Sequence, residues 1–386
     1  MPEIIADIFN KKQDGDLRVK WYRDKYTQRP YYVKKSRVDT AVAKARGALK
    51  ELVQAARKEQ HARYKALTRD VAQAGYEIYD ALFFGVQAED RTNAERAQKW
   101  VAQNLKPGRD TITFVVPSRL HIPWGLIYDK PPPAADELDN IPIDQLANDF
   151  WCMKYNVGSL YSDTAPELVD TVWPTDKFAL LLGADQELWK KTRDKLDAAE
   201  LQRLNRLIAP ADEPKFELNA IFDHWQSTKD ASPHGLLSFY CHSAGNLIRV
   251  GPDTLSADAF GRRFARREVA ERPPTLVFLA GCRTAVGDLE EGFLEATTGP
   301  GFCGFIGTEA LVPDIFTLRF MTLFLDEFFR TGKSVGSVIR ELRERHWPLS
   351  LVFSMCCTGD LRLKEMPGEA LPRYKENLSY QIVSSE

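Results

Sequence analysis

Apolar and polar positions give this chain two textures. Between residues 39 and 103 apolar side chains recur every three or four positions, as at Val42, Ala45, Leu49, Leu52, Val53 and Ala56, in a background of Lys, Arg and Gln. That is the stripe of an amphipathic helix, and the stretch is long enough for two or three of them. Beyond residue 175 the pattern changes to short unbroken apolar runs separated by longer amphipathic stretches. The runs at 178–183, 236–241, 275–280, 302–307 and 350–355 predict strands, and 187–208, 256–269, 314–331 and 334–346 predict helices. Strands covered on both faces lose their in–out alternation, and strands alternating with helices predict a mostly parallel sheet with helices on both faces. The stretch 314–331 is apolar nearly all round (Ile315, Phe316, Leu318, Phe320, Met321, Leu323 and onward), so a helix there is expected to be deeply buried. Residues 17–38 alternate and are rich in Tyr and Val, which predicts a short antiparallel pair turning near Arg29-Pro30, and 111–116 predicts one more strand. No repeat of 20 to 50 residues is visible, which argues against a solenoid.

Two of the apolar runs end on residues with chemistry. Leu236-Leu237-Ser238-Phe239-Tyr240-Cys241 leads into His242, and Leu276-Val277-Phe278-Leu279-Ala280-Gly281 leads into Cys282. Open α/β sheets carry their sites just beyond the carboxyl ends of their strands. A general base and a thiol at two such ends would meet, although 40 residues separate them in sequence. Alone, Cys282 reads as a small hydrophobe and His242 as an ordinary hydrogen-bonded histidine. Together they are the two residue types that thiol catalysis requires, in the order His then Cys. Arg283 beside the cysteine would favour its thiolate.

Other features read as structure. His234-Gly235 precedes its strand and so belongs to the wrong edge of a parallel sheet. Cys241 alternates away from His242 and reads as core. Gly299-Pro300-Gly301-Phe302-Cys303-Gly304 matches G-x-G-x-x-G but comes before a strand, where a dinucleotide fingerprint has no context. Cys356-Cys357 reads as packing, and the run Arg262-Arg263-Phe264-Ala265-Arg266-Arg267 as a solvated helix face. Asp185 and Asp314 follow the first and fourth strands of the second half. Each either caps the helix that comes next or stands at the sheet edge that carries His242 and Cys282.

Composition narrows the class. With 386 residues, one large or two ordinary domains fit. Lys+Arg number 52 against 54 Asp+Glu, so the net charge of −2 gives no pull toward nucleic acid or an anionic membrane. Most of the six cysteines lie within apolar runs, as reduced thiols do, and none has paired zinc-ligand spacing. The start lacks a basic segment followed by an apolar one, and no apolar run reaches bilayer length, so a cytoplasmic protein without metal or cofactor is expected.

At this point four segments resemble a known family. Phe239-Tyr240-Cys241-His242-Ser243-Ala244-Gly245 is similar to the histidine motif of CHAT domains, the caspase-like proteases related to separase. Leu279-Ala280-Gly281-Cys282-Arg283-Thr284-Ala285 is similar to their cysteine motif. Gly304-Phe305-Ile306-Gly307-Thr308, continuing to Val312-Pro313-Asp314, resembles the strand and acidic loop that follow, and His121-Ile122-Pro123-Trp124-Gly125-Leu126-Ile127-Tyr128-Asp129 the upstream Pro-Trp segment. The resemblance covers about residues 70 to 363 and departs in two places. Ser243 stands where the family usually has Gly after the histidine, and Gly281 where it usually has Ala before the cysteine.

The resemblance implies a caspase-like α/β fold with a degenerate caspase-like upstream half. The expected organisation is an extended segment (1–37), a helical and degenerate half (38–174, ending near Trp173-Pro174), a catalytic half (175–366) and a tail (367–386). It implies a cysteine endopeptidase with Cys282 as nucleophile and His242 as its proton-transfer partner. The backbone N–H groups of Ser243 and Cys282 would hold the oxyanion, and Asp185 or Asp314 would favour a basic residue before the cut. The expected partners are a protein substrate and an activating protein, in a setting such as bacterial defence or regulated cell death. A silent CHAT-like scaffold or sensor is the second reading. A small-molecule hydrolase is the third, and it lacks a G-x-S-x-G elbow.

Overall fold

A computed structural model describes residues 3–10, 15–117, 120–161, 171–172, 180–208, 214–228, 235–244, 246–264, 275–282, 284–285, 292–297 and 301–363. His234, Arg283, Gly299-Pro300 and the boundary at Trp173-Pro174 lie outside the described residues. The chain forms two compact units. One comprises Met1–Ala165 with Glu309–Leu311 and Ile339–Asp360, and the other Pro166–Thr308 with Val312–Val338 and Leu361–Glu386.

The first unit begins with strands β1 (Glu3–Asn10), β2 (Asp16–Arg23), β3 (Tyr26–Thr27) and β4 (Tyr31–Lys34). Three helices follow, α1 (Lys35–Arg57), α2 (Tyr64–Leu82) and α3 (Ala88–Asn104), then β5 (Thr111–Val116). The short helices α4 (Ile143–Ala147) and α5 (Trp151–Lys154) precede β6 (Asn156–Tyr161). The helical stripe behaves as its spacing predicts, since Val42, Ala45, Leu49, Leu52 and Val53 are all buried on α1. In the sheet, β1 runs antiparallel to β2 and parallel to β5, and β5 is parallel to β6. The expected antiparallel pair is present with a different turn. The chain reverses at Asp24, whose φ of 52° suits a tight turn, and Arg29-Pro30 only links β3 to β4, both of which pair with β2. Aromatic rings fill the core: Phe114 stacks on Trp124 at 3.7 Å between centroids and Trp21 on Phe83 at 5.5 Å. Such pairs add about 0.5–1.5 kcal/mol each beyond the area they bury.

The second unit contains β7 (Thr171–Val172), β8 (Leu180–Ala184), α6 (Gln186–Arg193), α7 (Ala198–Ile208), α8 (Leu218–Thr228) and β9 (Leu236–Tyr240). A small antiparallel sheet follows, β10 (His242–Ala244), β11 (Leu247–Val250) and β12 (Asp253–Ser256). Next come α9 (Ala257–Phe264), β13 (Thr275–Ala280), α10 (Phe293–Ala296), β14 (Phe302–Thr308) and α11 (Asp314–Thr331). The main sheet is parallel in the order β14-β13-β9-β8. Every residue of these four strands is buried, as continuous apolar runs require. Helices cover both faces. On one, Phe324 of α11 meets Phe278 edge-on at 5.3 Å and Met321 meets Ser238; on the other, Phe260 and Phe264 of α9 close on Phe239 at 5.7 and 5.8 Å.

The helix α11 is buried nearly all round, as its composition predicts, and stops at Gly332, whose φ of 66° is left-handed. Its buried Asp326 is neutralised by Arg203 at 3.5 Å. One expectation is corrected: 187–208 is two helices. The break is a reciprocal cap, in which the Glu200 N–H donates to the Asp197 carboxylate (2.8 Å) and the Asp197 N–H to the Glu200 carboxylate (3.0 Å). The remaining elements are α12 (Val335–Arg345), β15 (Phe353–Cys356) and β16 (Arg362–Leu363). The run expected as a strand over 350–355 enters β15 through a 3-10 turn at Leu349–Val352. Among the described residues no helix is long and apolar enough to cross a membrane.

Candidate active site

The site lies wholly in the second unit, and the register of its sheet builds it. Strands β9 and β13 are neighbours, with Tyr240 opposite Ala280. His242 and Cys282 each follow that pair by two residues, so they leave the same sheet edge on strands about 4.8 Å apart. His242 is exposed and Cys282 half-buried, with its Sγ 3.7 Å from the Val312 carbonyl oxygen. A side-chain bond ties the two turns, because the Ser243 hydroxyl donates to the Cys282 carbonyl.

Gly281 and Ser243 fit each other in space. A Cβ on Gly281 would lie 2.9 Å from Ser243 Oγ, 3.3 Å from Ser243 Cβ and 3.0 Å from the Cys241 carbonyl oxygen. The serine thus occupies the room that a residue larger than glycine at 281 would need.

The two candidate carboxylates have different surroundings. Asp185 is 2% exposed; its Oδ1 accepts from the Leu188 N–H at 2.9 Å and caps α6, and its Oδ2 faces Arg249 at 3.7 Å. Arg249 in turn sits directly across from His242 in the β10–β11 ladder. Asp314 is half-buried in the first turn of α11, where Pro313 holds the cap position and no side-chain cap bond forms. Among the described residues no cation pairs with the Asp314 carboxylate. The main chain of Asp314 is anchored by the Tyr240 hydroxyl, which donates to its carbonyl at 3.1 Å and is also 2.9 Å from Thr192 Oγ1. Burial keeps that phenol protonated far above ordinary pH, and the nearby Asp314 carboxylate adds to the effect.

Burial shuts down the neighbouring thiols. The Cys241 thiol is pushed well up by burial, then by Asp185 and Cys282, and Cys303 is raised by burial as well. No disulfide joins any of the six cysteines. Among the described residues no group of three His, Cys, Asp or Glu side chains is arranged to hold a metal ion.

The sequence did not signal the hydroxyls around the cysteine turn. Thr284 Oγ1 donates to the Leu279 carbonyl at 3.0 Å, and Thr308 Oγ1 donates to the Gly281 carbonyl at 2.5 Å. Threonine at a strand end is unremarkable in a sequence, and only the pairing of β13 with β14 reveals what it reaches.

Comparison with known proteins begins with the fold. Two crystal structures of the Saccharomyces cerevisiae separase–securin complex match at TM-scores of 0.55 and 0.53, with 10% and 11% sequence identity. The fold is similar to that of separase. The match covers 92% of this chain and 30% of the separase chain. This bears out the expected caspase-like α/β class. No family model matches the chain. A protein of Vitiosangium sp. described as a probable protease is 30% identical over 148 residues, which is 33% of this chain and 19% of that protein. The chain therefore spans about a fifth of that relative and less than a third of separase.

Proposed function

We propose that this chain is a cysteine endopeptidase of the CHAT type, with Cys282 as nucleophile and His242 as general acid and base. The observation that carries the reading is the register of β9 and β13, which brings His242 and Cys282 off one sheet edge on adjacent strands. In the proposed reaction the Cys282 sulfur attacks the scissile carbonyl carbon, and the carbonyl π pair moves onto oxygen. The N–H groups of Ser243 and Cys282 receive that oxyanion, and losing one such donor typically costs about 10²–10³ in rate. His242 takes the thiol proton and delivers it to the leaving amine as the C–N bond breaks. Water then attacks the thioester while His242 accepts its proton, and the free thiol returns.

Asp314 is the better candidate for reading the residue before the cut. It stands two residues beyond Val312, whose carbonyl the Cys282 thiol touches, and no described cation occupies its carboxylate. Asp185 is already used as a helix cap. A half-buried carboxylate near the thiol would select Arg or Lys there and reject acidic residues. The substrate is proposed to be a protein. A protein partner is proposed to control access, by analogy with the complex in which the structurally similar separase was crystallised. Six cysteines without a disulfide fit a reducing, cytoplasmic setting.

Labelling with a peptidyl electrophile, read by peptide mapping, tests the proposal. The label is expected on Cys282 and is expected to vanish in Cys282→Ala. It should slow strongly in His242→Ala and persist in Cys241→Ala. A natively folded protein that labels nowhere refutes the protease and supports the scaffold reading.

A further inference from the structure

Three hydroxyls hold carbonyls in and just before the turn that carries Cys282. Thr284 serves Leu279, Thr308 serves Gly281, and Ser243 serves Cys282 itself. The middle bond has a mechanical consequence. A peptide group is planar and trans, so the Gly281 carbonyl and the Cys282 N–H belong to one rigid plate and point in opposite directions. Whatever fixes the Gly281 oxygen aims the Cys282 N–H.

Thr308 is well placed to do so. It is fully buried at the end of β14, its N–H donates to Thr284 Oγ1 at 3.0 Å and its carbonyl accepts from the Ala285 N–H at 2.9 Å. The ladder between β13 and β14 has already ended at Phe278 and Ile306. The 2.5 Å bond from Thr308 Oγ1 therefore takes over where strand pairing stops.

We propose that Thr308 is a positioning residue for the oxyanion site: its hydroxyl orients the 281–282 peptide so that the Cys282 N–H faces the developing charge. This rests on the cysteine-protease reading above. Thr308 touches neither substrate nor the reacting sulfur. It acts only through the peptide plate, so steps that build charge on the substrate oxygen should feel its loss and other reactions of the same thiol should not.

Two reagents separate these cases. A peptidyl aldehyde reacts by forming an S–C bond as the carbonyl π pair moves to oxygen, and the thiol proton reaches that oxygen through His242; the resulting hemithioacetal oxygen occupies the oxyanion site. Iodoacetamide forms an S–C bond while the C–I bond breaks, iodide leaves and the thiol proton passes to solvent, with no charge placed on a carbonyl oxygen. In Thr308→Val, aldehyde affinity and kcat for a peptide substrate should each fall about 10–100-fold with KM unchanged, since a misaimed donor forfeits most of its effect. The iodoacetamide rate at Cys282 and its pH profile should stay at the wild-type values. Thr308→Ser, which keeps the hydroxyl, should restore aldehyde affinity and kcat. If the valine variant does not fold, Thr308→Ala takes its place with the same expectations.

Wild-type aldehyde affinity in Thr308→Val, or a parallel loss of iodoacetamide reactivity, overturns the proposal while leaving the protease reading standing. A wild type that alkylates at Cys282 but neither cleaves peptides nor binds the aldehyde overturns the protease reading, and this proposal with it.

Discussion

Replacing Gly281 by alanine tests whether Ser243 and Gly281 form one packing unit. The added methyl carbon would sit 2.9 Å from Ser243 Oγ, 3.0 Å from the Cys241 carbonyl oxygen and 3.3 Å from Ser243 Cβ. Carbon atoms rest comfortably at about 3.5–4.0 Å from one another, so this contact is too tight. Overpacking of this kind costs about 1–3 kcal/mol. Ser243 can swing its hydroxyl aside, but doing so breaks its bond to the Cys282 carbonyl, worth about 0.5–1.5 kcal/mol net. The Cys241 carbonyl belongs to the main chain and has no comparable escape. Ser243→Gly alone should cost about 0.5–1.5 kcal/mol, the value of that same bond.

The pair then decides the matter. If the two changes were independent, the double variant would carry the sum of both losses. If Ser243 fills the space that Gly281 leaves, the double variant should be more stable than Gly281→Ala alone, with a coupling of at least about 1 kcal/mol, within the 0.5–3 kcal/mol seen for touching residues. Urea unfolding of the four proteins measures the cycle. Gly281→Ala should also lower the melting temperature by a few degrees and slow iodoacetamide at Cys282, and the double variant should recover part of each. Additivity to within about 0.5 kcal/mol, or an unperturbed Gly281→Ala, would refute the reasoning.

Two further tests follow from the structure. A peptide library should show enrichment of Arg and Lys before the cut that falls at least about 10-fold in Asp314→Ala, while a neutral substrate is still cleaved; Asp185→Ala should leave the preference intact and cost about 1 kcal/mol of stability through its lost cap. Enrichment of Asp or Leu at that position would sink the basic preference. In the first unit, burial, assisted by Arg46, pushes the half-buried His121 imidazole down to about 4, and its Nδ1 lies 2.7 Å from the Tyr161 hydroxyl. The unfolded chain binds a proton there near pH 6.5 that the folded protein refuses, so this stabilisation is present above pH 6.5 and is lost as pH falls toward 4. His121→Gln should therefore shrink the stability difference between pH 7 and pH 4.5 by roughly 2–3 kcal/mol, and an unchanged difference would count against the assignment.

What the sequence revealed and what it hid have physical causes. The parallel strands β8, β9, β13 and β14 were legible because burial on both faces writes itself as unbroken apolar runs. The helix α11 was legible because it is wrapped in phenylalanines and leucines. The small sheet β10–β12 was not, since its strands are only three or four residues long and mix exposed with buried positions. The helix α8 escaped for a related reason, with Leu218, Ile221, Phe222 and Trp225 spread over just 11 residues. The pairing of Glu3 with Thr111 joins positions more than 100 residues apart, and no local pattern announces such a contact. In the site, His242 and Cys282 could be picked out because each ends an apolar run. The hydroxyls of Ser243, Thr284 and Thr308 could not be assigned, because their carbonyl partners depend on the register between strands.

Selectivity among the six cysteines follows from the same geometry. Cys152, Cys241 and Cys303 are fully packed, and burial raises each thiol above its ordinary value. Cys356 is pushed up to about 12 by burial despite a helpful bond from Ser159. A thiol at that value is about one part in 10⁵ thiolate at pH 7, and the thiolate is the nucleophile. Cys282 and Cys356 are the two half-buried thiols and Cys357 is buried. The proposed role of Cys282 therefore predicts that alkylation of the native protein maps to the tip of β13 and not to Cys356. There the Cys282 sulfur lies half-buried, in contact with the Val312 carbonyl and on the strand beside the one that leads to His242. On the proposed reading, the chemistry of this dry sheet sits at its carboxyl edge, where the strands give way to the turns that carry His242 and Cys282.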